Sequence, residues 1–251
     1  MPDVETLPET LPGTTAAPRL VTAASDPAIP AIPTIPAIPA IPAIPAIPTI
    51  PARKRPKPGE RRIQILQALA AMLEQPGAER ITTAALAARL NVSEAALYRH
   101  FASKAQMFEA LIEFIEESVF TLINQMTERA GGDTDSARTD ARLAGRVIAM
   151  LIQFAEKNPG MTRVMVGDAL VFENERLQAR MNQFFDKIES ILKNSLRDVA
   201  VRNGSSSPTV DGQVSASVLT AFVVGRMQRF ARSGFKRLPS EHLDACLAQM
   251  L

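Results

Sequence analysis

Proline divides this sequence more sharply than any other residue. From Pro27 to Pro51 a proline recurs at every third position, in an Ala-Ile-Pro repeat with two Thr-Ile-Pro variants. A three-residue period with proline suits polyproline II; proline has no backbone N–H and cannot enter a helix or sheet interior. Residues 1–58 are therefore expected to be a disordered proline-rich tail ending in a basic arm. It is read as a semi-rigid spacer or as a ridge of isoleucines for a groove-bearing partner. After Gly59 only Pro76, Pro159, Pro208 and Pro239 remain, each where a helical pattern stops.

Between those breaks the apolar spacing is helical throughout, and no alternating strand pattern emerges. The first helix is expected from Glu60 to Gln75, with Ile63, Leu66, Leu69 or Ala70, and Leu73 inward and Pro76-Gly77 as its stop. A second begins at Thr82 or Thr83, either of them a suitable N-cap, and turns Leu86, Ala87 and Leu90 inward. Asn91 tolerates the left-handed backbone of a short turn, and Ser93 caps a third helix whose Glu94 favours the dipole's positive end. Ser103-Lys104-Ala105-Gln106 fits a capping box opening a long fourth helix, which ends at Gly131-Gly132. Further helices are expected over 137–157, 172–202, 213–232 and 240–251, with a short helical piece after Pro159. The fold class is all-α.

Composition narrows the function. A chain with 46% hydrophobic and 22% charged residues fits a soluble globular protein. No apolar run is long enough for a membrane span, so no membrane partner is expected and the location is read as cytoplasmic. The single cysteine, Cys246, forms no intramolecular disulfide. Two histidines, His100 and His242, offer no metal spacing. There is no Gly-rich phosphate loop or nucleophile elbow, so neither catalytic residues nor a cofactor are expected. The net charge of +2 is unevenly spread: residues 53–104 carry ten bases and four acids, a sum of +6, which leaves −4 for the rest. One part of the chain is built to face a polyanion.

Two short helices joined by a tight turn, just after a basic amphipathic helix, form a helix-turn-helix pattern. Its second helix is short enough to lay its N-terminal half into a major groove about 12 Å wide. There Ser93, Glu94, Ala95, Tyr98 and Arg99 would be exposed, with Val92, Ala96 and Leu97 toward the core. The small Ala95 permits close approach to base edges. Tyr98 and His100 can reach phosphates, and Thr82, Thr83 and Lys104 sit at helix starts that favour a phosphate oxygen.

On Ile81-Thr82-Thr83, Leu86-Ala87, Val92-Ser93, Leu97-Tyr98, His100-Phe101 and Ser103-Lys104, this segment resembles the DNA-binding signature of the TetR family, with Asn91 where that family usually has glycine. The resemblance implies a three-helix DNA-binding domain over 59–104 and a helical dimerisation and partner-binding domain over 105–251. Residues 93–101, 111–116, 158–163, 176–180 and 229–236 further resemble a branch of the family that acts in bacterial division, the nucleoid occlusion factors. That implies a nucleoid-associated homodimer which binds palindromic double-stranded DNA and, when bound, antagonises polymers of FtsZ. The partner positions implied are Phe114, Lys157 and Asn158; lysine stands at 157 where arginine is usual, and Leu122 and Gln153 also depart from that pattern.

The fourth helix supports a second surface by its own spacing. Phe108, Leu111, Ile112, Ile115, Val119, Leu122 and Met126 share one stripe, Glu109, Glu113, Glu116 and Glu117 share another face, and Phe114 lies roughly 120° from the stripe. Phe114 packing on a neighbouring helix above a solvated glutamate face is the competing reading. Val214, Val218, Ala221 or Phe222, and Gly225 form an apolar, small-residue stripe suited to helix pairing between two copies, or to an ordinary buried face. Met150, Phe154, Met165, Met181, Phe184 and Phe185 could line the pocket of a ligand-responsive repressor, although such residues at helical spacing are more often core.

Overall fold

The computed structural model describes residues 59–75, 81–130 and 136–251. The proline-rich tail and the expected helix stops at Pro76-Gly77 and Gly131-Gly132 lie outside them. Helices follow one another as α1 (Glu60–Leu73), α2 (Thr83–Arg89), α3 (Glu94–Tyr98), α4 (Lys104–Ala130), α5 (Ser136–Lys157), α6 (Pro159–Met165), α7 (Glu175–Arg202), α8 (Pro208–Arg232) and α9 (Leu243–Met250). A 3-10 turn, Asp168–Leu170, precedes α7, and no strand occurs among the described residues.

Apolar stripes at 3.6-residue spacing build the core. All seven members of the α4 stripe are buried, and so are Leu177, Met181, Phe184, Ile188, Leu192 and Leu196 of α7. Alpha-1 differs from expectation. Ile65 is fully buried whereas Ile63 is 36% exposed, so the inward face is Ile65, Leu69, Ala70 and Leu73. Ile63 and Ile65 are both apolar and two residues apart, which puts them on opposite sides of a helix.

Two prolines start helices rather than separate them. Pro159 and Pro208 occupy the first turns of α6 and α8, where a missing N–H costs nothing. As a result α8 opens five residues before the Gln213 start that the Ser-, Gly- and Pro-rich stretch suggested. Alpha-7 begins later than expected, at Glu175, with the Asn174 side chain accepting from the Arg176 N–H. This leaves Val171 and Phe172 exposed in the preceding turn.

Close backbone approaches lock the helices together. A Cβ built on Gly212 of α8 would lie 2.8 Å from the Arg197 nitrogen and 2.9 Å from its Cα, so α7 and α8 touch main chain to main chain. A Cβ on Gly160 of α6 would lie 2.1 Å from the Ala70 carbonyl oxygen of α1. Through that contact the first helix is seated on the body of the protein.

The candidate pocket residues are core. Met150, Phe154, Met165, Met181 and Phe184 are buried and Phe185 is half-buried against the same cluster. A cavity of about 440 Å³ lies elsewhere, along α4 and α7, and is lined by Phe120, Asp186, Lys187, Ser190 and Ile191.

Candidate nucleic-acid interface

Capping fixes the two helices of the helix-turn-helix. Thr82, not Thr83, is the N-cap of α2, its hydroxyl oxygen accepting from the Ala85 N–H at 3.2 Å. Ser93 caps α3 in the same way, accepting from the Ala96 N–H at 3.3 Å. Each such cap contributes about 1 kcal/mol, a large share of what helices of seven and five residues can gather. Asn91 has φ 53°, so asparagine holds the left-handed turn between them.

Leu86, Ala87 and Leu97 are buried beneath this turn, and Val92 packs partly against them. Ser93, Glu94, Ala95, Tyr98 and Arg99 face outward along α3, with His100 exposed just beyond its end. Tyr98 is 46% exposed. Thr83 is half-buried, and its hydroxyl donates to Glu94 Oε2 at 2.7 Å. That bond ties α2 to α3 and holds the one acid on the outward face, so Thr83 is committed within the protein.

Lys104 departs from its expected role. It is ion-paired with Glu173, whose side chain is only 10% exposed, and it leans over the Phe108 ring. Its charge is thereby partly neutralised inside the protein, which weakens it as a phosphate ligand. At the start of α4, Ser103 Oγ accepts from the Gln106 N–H at 3.2 Å. The Gln106 amide reaches back to the Ala102 N–H at 2.8 Å, one residue before the position a capping box would use.

Arg62 was not singled out individually in the sequence. Its guanidinium stacks 4.2 Å from the Phe101 ring centre and donates to the His100 carbonyl at 3.2 Å. It braces the far end of α3 against α1. The spacing of 38 residues between the partners carries no local signal, which is why periodicity does not find it.

The comparisons agree with this geometry. Residues 65–111 match the family described as bacterial regulatory proteins, tetR family, and residues 138–250 match the SlmA-like C-terminal domain, tetracyclin repressor-like. The nucleoid occlusion factor SlmA of Idiomarina loihiensis is 50% identical over 185 residues, covering 74% of this chain and 90% of the relative. That of Vibrio cholerae is 51% identical over 185 residues, covering 73% and 90%. The chain belongs to the SlmA nucleoid occlusion factors of the TetR family.

Solved structures share the fold at lower identity. The regulator FadR from Bacillus subtilis, in complex with stearoyl-CoA, has a TM-score of 0.55 at 15% identity and covers 75% of this chain and 96% of its own. AibR, in complex with isovaleryl coenzyme A and operator DNA, has a TM-score of 0.55 at 19% identity and covers 76% and 97%.

In this SlmA-family chain the second candidate surface is only partly as the sequence suggested. Phe114 is half-buried and packs against the core, while Lys157 is exposed in the last turn of α5. Asn158 turns inward. It is 6% exposed, its side-chain amide donates to the Phe154 carbonyl at 2.9 Å, and its own carbonyl accepts from the Thr162 hydroxyl at 3.1 Å. A buried amide is stable only when bonded, and these bonds close the α5–α6 corner.

The glutamate face of α4 is also less solvated than its spacing implied. Glu116 takes a two-point bond from Arg180 of α7, at 3.2 and 2.6 Å. That bond, reinforced by the nearby Glu113 and Glu109, pushes the Arg180 guanidinium above its ordinary value. Glu109 pairs with Arg176 one turn away. Glu113 and Glu117 remain outward, one helical turn apart on the same side of Phe114. Cys246 is half-buried with Arg226 Nη2 3.1 Å from its sulfur, and His242 is exposed with φ 54°.

Proposed function

We propose that this nucleoid occlusion factor binds chromosomal palindromes as a homodimer and, in that state, antagonises FtsZ assembly and so blocks septum formation over the nucleoid. The observation that carries the DNA half is α3: a five-residue helix, capped at its start and braced at its end, with Ser93, Ala95, Tyr98 and Arg99 turned outward together. In this reading residues 59–104 read DNA and residues 105–251 dimerise and hold the partner. Thr82, Tyr98 and His100 serve the phosphates, and Glu94 and Thr83 set the register of α3. Lys104 reaches a phosphate only by leaving Glu173.

Dimerisation rests on α8. Val214 and Val218 are 57% and 51% exposed, Ala221 is exposed, and a Cβ on Gly225 meets nothing within 4 Å. An apolar, small-residue face left open from Val214 to Gly225 of α8 suits close pairing with a second copy. Val218→Asp should therefore leave the protomer folded while shifting the mass seen in sedimentation from dimer to monomer. An unchanged dimer would remove this face from the interface.

The FtsZ half rests on Phe114 with Lys157, beside Glu113 and Glu117. Phe114→Ala should keep operator affinity within about threefold, a change of about 0.7 kcal/mol, and should abolish DNA-dependent disassembly of FtsZ polymers, read by light scattering. Polymers disrupted as well by the variant as by the original chain would end this assignment. A ligand-responsive repressor is the second reading, since FadR in complex with stearoyl-CoA and AibR in complex with isovaleryl coenzyme A share the fold. The burial of the Met and Phe set that would line such a pocket counts against it.

A further inference from the structure

We propose that the turn after α8 is a second DNA contact, a rigid basic knuckle that grips backbone phosphates outside the helix-turn-helix. This rests on the reading of the chain as a DNA-binding protein and extends it to a part of the body not assigned any ligand. The observation is a set of four bases, Arg229, Arg232, Lys236 and Arg237, with no acid among residues 228–239. All four are exposed, and none forms an ion pair among the described residues. Four other bases are engaged within the protein: Lys104 on Glu173, Arg176 on Glu109, Arg180 on Glu116, and Arg226 on the Glu241 carbonyl at 2.6 Å. The acids nearest in sequence are Glu241 and Asp244, both exposed; Glu156 of α5 is already accepting from the Ser240 N–H.

The turn is built, not loose. Ser233 Oγ donates to the Phe230 carbonyl at 2.9 Å and accepts the N–H groups of Lys236 and Arg237 at 3.1 and 2.9 Å. Phe235 sits at φ 63°, a conformation that an aromatic residue adopts only against a steric cost. It is held there by its own N–H on the Phe230 carbonyl at 2.9 Å and by its ring against Phe230, with centres 5.1 Å apart. Arg163 of α6 covers the other side, 5.3 Å from the ring centre. Two like charges on a fixed turn, following two more in the last turn of α8, repel one another, and a polyanion relieves that repulsion without having to order the turn first.

Position favours DNA over an acidic protein. Arg163 belongs to α6, whose Gly160 lies against Ala70 of α1, so one helix of seven residues joins the basic turn to the DNA-binding domain. The face proposed for the protein partner is of mixed charge, with Lys157, Glu113 and Glu117 about Phe114, whereas the turn carries bases alone.

The test uses the full chain and a mixed-sequence duplex of about 30 base pairs, since phosphate contacts are independent of sequence. Binding is measured against salt for the original chain and for the triple variant Arg232→Gln, Lys236→Gln, Arg237→Gln. Each base that meets a phosphate steepens the slope of log affinity on log salt by about 1, so the variant should be shallower by at least about 2. The charge-keeping set Arg232→Lys, Lys236→Arg, Arg237→Lys should retain the original slope, and all three proteins should melt together. An unchanged slope in the glutamine variant overturns the inference, including the case where FtsZ disassembly alone is lost, which would make the turn a protein contact. Equal loss in the charge-keeping set overturns it too. An original chain that shows no binding to DNA at all would instead overturn the underlying reading.

Discussion

Gly160→Ala should lower the thermal midpoint of the full chain by roughly 6–12 °C and weaken operator binding with it. The glycine is not there for backbone freedom, since its φ is not positive; it is there because α6 crosses α1 with no room for a side chain. An added Cβ would lie 2.1 Å from the Ala70 carbonyl oxygen and 2.9 Å from its carbon. Both are main-chain atoms of a helix, so no rotamer change relieves the overlap and the two helices must part. Overpacking of this kind costs about 1–3 kcal/mol, and a backbone obstacle belongs at the upper end. For a chain of this size each kcal/mol moves the midpoint by about 2–4 °C.

The same displacement disturbs function, because α1 carries the helix-turn-helix. Glu74, at the end of α1, feels α6 as well. Burial pushes its carboxyl up, against the opposing pull of the Gly160 N–H and of Arg89. A carboxyl raised by folding favours the native state most below its unfolded value and loses that contribution as pH climbs through the raised one. The seam therefore loses that contribution as pH climbs above the ordinary carboxylate value. Calorimetry together with anisotropy on an operator duplex checks the prediction, and an unaltered midpoint would show that α6 slides freely on α1.

How far the sequence reached depends on whether the deciding interaction was local. The buried stripes of α4 and α7 were legible because 3.6-residue spacing is a property of one helix. Asn91 and Ser93 were legible, and the α2 cap was narrowed to Thr82 or Thr83, because a cap or a left-handed turn involves residues within three of each other. The burial of Asn158 was not legible for the opposite reason: it is decided by how α5 and α6 meet, and only packed coordinates show its amide turned inward. The ion pairs of Lys104, Arg176 and Arg180 were not legible because their partners lie more than 60 residues away on other elements. The start of α8 was placed late because proline was read as a break, although the first turn of a helix accepts it. Gly160 is the limiting case, since a residue without a side chain leaves no pattern to read.

Ala95→Glu should reduce affinity for the operator by at least about 100-fold, or about 2.7 kcal/mol, while leaving the protein as stable as before. Ala95 is exposed in the first turn of α3, beside Glu94 and two residues after the Ser93 cap, where a recognition helix comes nearest to base edges. Its methyl touches no core residue whose loss would unfold anything. Glutamate there costs only a few tenths of a kcal/mol in helix propensity, and an acid in the first turn is favoured by the helix dipole. On DNA the balance reverses, because the longer side chain occupies space the groove floor needs and brings a charge among phosphates. Glu94 shows that an acid can stand at this helix start, but its carboxylate is held by the Thr83 hydroxyl, and that donor is already engaged. The loss should exceed that on a mixed-sequence duplex, since base contacts carry the specificity and phosphate contacts the remainder. Affinity within threefold of the original chain would mean that α3 does not enter the groove by this face, and the outward set from Ser93 to Arg99 would have to be reassigned as a whole.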